Sequence, residues 1–122
     1  MKKILMLLLV LTLSGCASNS NTSKVIDYQK ALELIDEKQA LIVDVRTLDE
    51  YNTSHIENAI LIPLDTITTE PLEQIPDLDA PIIVYCRSGN RSNQALGLLE
   101  DIGYSEVYDL GSINNWEGTI VK

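Results

Sequence analysis

The chain has 122 residues, a formal net charge of −9 and two cysteines. Without Lys2 and Lys3, seven basic residues stand against 18 acidic ones, a net charge of −11. Such a balance excludes nonspecific nucleic-acid binding, which needs basic patches to neutralise phosphate, and adsorption to anionic lipid by charge alone. A small anionic substrate has to be drawn in by a local device acting against the overall field.

Met1-Lys2-Lys3 is a basic start, Ile4 to Leu13 is apolar except for Thr12, and Leu13-Ser14-Gly15-Cys16 follows. A charged region, a short apolar region and small residues before a cleavage point describe an export signal. The ten residues from Ile4 to Leu13 are too few for a transmembrane helix, which needs roughly 20. A plain secretory signal ends in small residues alone, whereas here they run into a cysteine. Leu-Ser-Gly-Cys resembles the bacterial lipobox. The resemblance implies that residues 1–15 are a lipoprotein signal peptide and that Cys16 is lipidated and becomes the new N-terminus. The protein is then exported and held on a bacterial membrane, at its periplasmic or extracellular face, by a lipid anchor. Ala17 and Ser18 follow, with no aspartate at the second position, which in a cell with two membranes resembles an outer-membrane lipoprotein. Asn19 to Ser23 is polar throughout and reads as a flexible tether. Residues 16–24 are therefore assigned to the lipidated cysteine and tether, and residues 25–122 to one domain.

Within the domain, Val25-Ile26 reads as a short opening strand. Asp27 can cap a helix from Tyr28 to about Lys38, with Ala31, Leu32, Leu34 and Ile35 on its apolar face. Leu41 to Val45 is a β-branched run of the kind found in buried parallel strands. Thr47 to Asn52 suits a short helix, and Ala59 to Ile62 a strand ended by Pro63. The stretch from Thr66 to Ile75 reads as a short helix broken at Pro71, and Pro76 to Pro81 as a loop. Ile82 to Tyr85 is the clearest strand. A polar loop from Cys86 to Arg91 follows, then a helix from Ser92 to about Ile102 with Gly103 at its C-terminal stop. Glu106 to Tyr108 is a last strand, and Leu110 to Trp116 a turn with a short helix. Strands alternating with helices predict an α/β layer fold with a mostly parallel sheet.

The chemistry gathers after the clearest strand. In an open α/β sheet, ligands bind beyond the carboxyl ends of the strands, and Cys86 sits at such an end. With Cys16 acylated it is the only thiol, in an oxidising compartment and with no partner for an internal disulfide. The following helix turns its free N–H groups toward the loop, making an anion cradle. Gly89 supplies positive φ where the loop curls, and Arg87 and Arg91 add fixed charge. A thiol in that field has a lowered pKa, and its thiolate is a nucleophile.

Cys86-Arg87-Ser88-Gly89-Asn90-Arg91-Ser92 resembles the active-site loop of the rhodanese family. Asp44-Val45-Arg46 resembles the family's first signature. Glu50-Tyr51 with His55-Ile56-Glu57-Asn58-Ala59 and Ile62-Pro63 resembles the second, and Val107 to Gly111 with Trp116 the closing one. The resemblance implies a rhodanese-like α/β fold, a small mostly parallel sheet with helices on both faces. It implies a sulfurtransferase that moves sulfane sulfur from an anionic donor such as thiosulfate, through a Cys86 persulfide, to an external thiol, protein or cyanide-like acceptor, without metal or other cofactor. Arg87, Ser88, Gly89, Asn90, Arg91 and Ser92 then bind substrate, Arg87 facing the mouth and Arg91 holding loop carbonyls or the anion. Asp44 and Arg46 support the loop, or else Arg46 pairs with Glu50 to fix the next helix. His55 belongs to a structural turn, and Trp116 to the core or a pocket wall. Ser54, Asn58 and Ser112 stand where the family commonly has glycine. Two other readings use the same residues: a noncatalytic or carrier module at the membrane, and a phosphatase or arsenate reductase. The last requires Cys-x5-Arg, whereas Cys86 to Arg91 is Cys-x4-Arg.

Overall fold

The computed structural model describes residues 24–122; the residues read as an export signal, Cys16 and Asn19 to Ser23 lie outside the described residues. The first helix, α1 (Tyr28–Lys38), starts where Asp27 accepts the Lys30 N–H at 2.8 Å and ends at Gln39 in the left-handed region. β1 (Leu41–Asp44) and α2 (Leu48–Thr53) follow. Thr47 and Glu50 form a reciprocal capping box at the start of α2, which satisfies two backbone donors that the helix cannot. Next come β2 (His55–Ile56), β3 (Ile60–Leu61), β4 (Ile82–Cys86), α3 (Asn90–Ile102), β5 (Val107–Ser112) and β6 (Ile120–Val121).

β3, β1, β4 and β5 form one sheet in that order, and every pairing in it is parallel. Burial explains the sequence of its central strands. Val43, Val45, Ile82, Val84, Cys86 and Val107 pack against Ala95, Leu96 and Leu99 of α3 on one face. Ile42, Ile83, Tyr85 and Leu110 pack against Ala31 and Leu34 of α1 on the other. Alternate residues of a strand point to opposite faces, so a strand covered on both sides has no polar face to show. The fold is thus a parallel sheet with helices on both faces, as the motifs implied.

Three local expectations change. Val25 makes a single parallel bridge to Asp109 at the sheet edge instead of a strand, and Lys24 already contributes by accepting the Asp109 N–H at 2.8 Å. Residues 66–75 are not helical; a 3-10 turn spans Leu64–Thr66 and turns follow. What fixes this segment is tertiary. Ile67, Leu72 and Ile75 are buried, and the Tyr104 hydroxyl receives the Leu72 N–H at 2.8 Å and donates to the Ile75 carbonyl at 2.6 Å. Finally, β2 and β6 form an antiparallel pair that had no counterpart in the reading of the sequence.

A buried polar cluster joins β1, β2 and β4. The Tyr85 hydroxyl donates to Asp44 Oδ2 at 2.6 Å and receives the Ile56 N–H at 3.1 Å. Asp44 and Tyr85 have no exposed surface. Tyr85→Phe is expected to lower the free energy of unfolding by about 1–3 kcal/mol, because a buried carboxylate and a buried N–H each lose a partner. Urea titration of both proteins measures the difference.

Candidate active site

β4 delivers Cys86 to the carboxyl end of the sheet, and α3 begins at Asn90, so only Arg87, Ser88 and Gly89 lie between them. Cys86 has no exposed surface. Its sulfur receives the Gly89 N–H at 3.0 Å and the Ser92 N–H at 3.4 Å, and lies 3.6 Å from the Ser92 hydroxyl oxygen. That hydroxyl reaches the Gly89 carbonyl at 3.1 Å. The curl depends on Gly89, whose φ of 97° is a left-handed value that residues with a Cβ rarely adopt. Space is not the constraint there, since a Cβ would stand 3.6 Å from the Gly111 Cα.

Two opposed effects set the protonation of Cys86. Burial pushes the thiol pKa up and is the largest single effect. The Ser92 hydroxyl and the N–H groups of Ser92, Gly89 and Ser88 push it down, and together they prevail. The lowering therefore comes from hydrogen bonds to the thiolate, the N–H cradle expected from the sequence joined by the Ser92 hydroxyl.

The arginines are placed differently from one another. Arg91 gives its two terminal nitrogens to Glu50, at 2.7 and 2.9 Å, and so does not hold the loop carbonyls. The guanidinium brings the Glu50 carboxyl down to about 2. The Arg46–Glu50 pair is accordingly absent. Arg46 instead clasps Asp44 through Nε and Nη2, the shortest contact 2.7 Å, and reaches the Ser54 carbonyl at 2.7 Å. Arg87 is exposed and, among the described residues, is the one arginine without a carboxylate partner. It lines an open cleft of about 450 Å³ with Arg46, Glu50, Thr53, Ser54, Ile113 and Asn114. Ser88 and Asn90 are exposed on the loop, and Ser92 is buried.

Asp44 and Arg46 make no hydrogen bond to the cysteine loop. Their connection to it runs through Tyr85, the residue before Cys86, whose hydroxyl and carbonyl oxygen bind Asp44 and the Val45 N–H. The His55 ring stacks on Tyr51 at 3.7 Å and its Nδ1 lies 2.8 Å from the Tyr51 carbonyl. Trp116 meets the Tyr28 ring edge-on at 4.9 Å and lines a separate cavity of about 280 Å³ that includes no residue of the cysteine loop. Of the positions where glycine was expected, only Asn58 is left-handed, with φ 68°, a value that asparagine tolerates. Ser54 and Ser112 are extended. Reading the sequence missed Glu50 as the partner of Arg91, although Thr47-x-x-Glu50 is a capping-box pattern. Ser112 stood out only as a replacement of glycine; its hydroxyl donates to the Arg87 carbonyl at 2.6 Å.

A buried cysteine at the end of a central parallel strand, its sulfur met by backbone N–H groups of a short loop, defines the class of domain. Residues 27–119 match the rhodanese-like domain family. The thiosulfate sulfurtransferase PspE of Escherichia coli K12 is 33% identical over 73 residues, 60% of this chain and 70% of that protein. The thiosulfate sulfurtransferase GlpE of Coxiella burnetii is 32% identical over 95 residues, 77% of this chain and 87% of that protein. A tRNA uridine(34) hydroxylase of Erwinia tasmaniensis is 35% identical over 111 residues, but the match spans only 29% of its length. Among solved structures, a rhodanese with anions from E. coli superposes with a TM-score of 0.62 at 31% identity, covering 68% of this chain and 98% of that one. The chain belongs to the rhodanese-like domain family.

The Glu50–Arg91 pair gives a pH test. The folded carboxyl sits at about 2 against an ordinary value of 4.5, so its contribution is complete above about 4.5 and is lost as pH falls toward 2. At pH 7, Glu50→Gln is expected to reduce stability by about 1–2 kcal/mol for a partly exposed bidentate pair. The gap between variant and parent narrows below pH 4.5, which denaturant melts at pH 7, 4 and 3 measure.

Proposed function

We propose that this domain is a sulfurtransferase that carries sulfane sulfur on Cys86. The observation that supports it best is the ring of donors around a buried thiol whose pKa is lowered. The Cys86 thiolate attacks the outer sulfur of thiosulfate. A new S–S bond forms at Sγ, the S–S bond of the donor breaks, and sulfite leaves with the bonding pair. The persulfide's terminal sulfur, itself anionic, takes up the loop N–H groups of Ser88, Gly89 and Ser92. Arg87, without a carboxylate partner, draws the dianionic donor to the mouth. Asn90 bounds the loop, and Arg91 holds the start of α3 to Glu50. Because Cys86 is the free cysteine among the described residues, the second step uses an outside thiolate. It attacks the terminal sulfur, takes it, and releases the Cys86 thiolate.

The pairing with thiosulfate rests on the PspE and GlpE relatives, which are named for that donor. Incubation of the purified protein with thiosulfate is expected to add roughly 32 Da, one sulfur atom, in intact mass. Dithiothreitol removes the gain, and Cys86→Ser never acquires it. A parent protein that gains no mass while its Cys86 is readily alkylated near neutral pH would exclude thiosulfate as donor.

The N-terminal motif supports a location. We infer that the protein is exported and anchored through lipid on Cys16, with the polar residues up to Ser23 as tether. Cells fed labelled palmitate are expected to incorporate it into the full chain and not into Cys16→Ala; an unlabelled parent chain would rule the anchor out.

A further inference from the structure

Ser112 stands opposite Cys86 in the register of β5 on β4, at the point where β4 gives way to the cysteine loop. Its backbone is extended, with φ −75° and ψ 141°, so the conformation makes no demand for a particular residue. What Ser112 adds is a hydroxyl with both of its hydrogen-bonding roles assigned. Its oxygen receives the Asn114 N–H at 3.1 Å, and its hydrogen goes to the Arg87 carbonyl at 2.6 Å. The Asn114 bond fixes the rotor and thereby aims the donor.

The Arg87 carbonyl is one end of a peptide unit whose other end is the Ser88 N–H. A trans peptide is planar, so its C=O and N–H point in opposite directions. Fixing the oxygen toward Ser112 therefore turns the Ser88 N–H to the opposite side, in the loop whose next N–H, that of Gly89, reaches the Cys86 sulfur at 3.0 Å. A hydrogen bond to the carbonyl also polarises the amide and strengthens its N–H as a donor. We propose that Ser112 is a positioning residue for the Cys86 thiolate, acting through the Arg87–Ser88 peptide, which it holds with the Ser88 N–H turned toward the sulfur.

The direction of the thiol's titration agrees, since the Ser88 N–H is among the groups that lower it. The charged groups on the elements around the loop are Arg91 on α3 with Glu50 on α2, Asp44 at the end of β1 with Arg46, Asp109 on β5, which takes the Gly111 N–H at 2.7 Å, and Arg87 itself. None of them hydrogen-bonds Ser112, whose side-chain partners are the Arg87 carbonyl and the Asn114 N–H. The neighbouring Gly111 adds a backbone constraint of a different kind. At φ 81° it lets the strand pass close under Gly89.

The proposal bears on the site assigned above as the sulfur carrier, but its test needs no sulfur donor. The full chain is treated with iodoacetamide across pH 5 to 9, and alkylation at Cys86 is followed by peptide mass spectrometry. Ser112→Ala and Ser112→Val are expected to slow alkylation at pH 7 by about three- to tenfold, moving the rate profile to higher pH, as loss of one hydrogen-bonded donor implies. Ser112→Thr keeps the hydroxyl and is expected to restore the parent profile. Thr and Val have nearly the same shape, so this pair separates the hydroxyl from packing, and circular dichroism melts report whether each variant is folded. Folded Ala and Val variants with the parent profile would overturn the proposal, as would a folded Thr variant that behaves like Val. Failure of the persulfide to form from thiosulfate, with these profiles shifted as expected, would count against the donor and leave the role of Ser112 standing.

Discussion

The Gly89 and Ser92 N–H groups meet the Cys86 sulfur at 3.0 and 3.4 Å in a place where the residue has no exposed surface. Taking a thiol out of water favours its neutral form, so a buried cysteine is normally inert. Here the loop reverses that outcome with backbone donors, which are fixed by the fold and need no reorganisation when charge develops. The rest of the architecture serves this placement. β4 carries the cysteine to the carboxyl end of the sheet, Gly89 turns the chain at a φ open to glycine, and α3 starts immediately so that its first free N–H groups face back. Tyr85, one residue earlier, is locked to Asp44 and Ile56, which stops the strand end from twisting.

Charge is handled separately from the thiol. With 18 acidic residues in the sequence, a cation placed near the site is prone to being neutralised by a neighbour, and two of the three arginines are. Arg46 is consumed by Asp44 and Arg91 by Glu50. Both act as braces, the first between β1 and the segment ending at Ser54, the second between α2 and α3. Arg87 alone keeps its charge free, and it does so at the cleft mouth. The free positive charge thus sits on one exposed side chain, while the groups that lower the thiol pKa are the loop N–H groups and the Ser92 hydroxyl.

The fold was readable wherever burial writes a pattern. Runs such as Leu41 to Val45 and Ile82 to Tyr85 announce strands covered on both faces, and Asp27 and Gly103 mark helix ends by capping chemistry. The cysteine loop was readable because strand, glycine, arginines and helix lie within a few residues. What failed was of two kinds. Residues 66–75 hold their shape through Tyr104, far along the chain, and β2 pairs with β6 over strands of two residues, too short for any periodicity. Ion-pair partners were equally hidden: which carboxylate takes Arg91 depends on how α2 packs against α3, and spacing alone favoured Arg46 for Glu50.

The same loop also decides between the chemistries that share a cysteine, a cradle and an arginine. A phosphoryl group presents three exposed oxygens and needs a ring wide enough to bind all of them, with the guanidinium turned inward. Only three residues separate β4 from α3 in this chain, and the terminal nitrogens of Arg91 face Glu50. The Gly89 and Ser92 N–H groups meet on one atom, the Cys86 sulfur. A ring of that size suits the proposed sulfur carrier, in which it would hold a single anionic sulfur. The short loop that looks like a missing residue beside Cys-x5-Arg is therefore what favours the proposed sulfur chemistry over phosphoryl transfer.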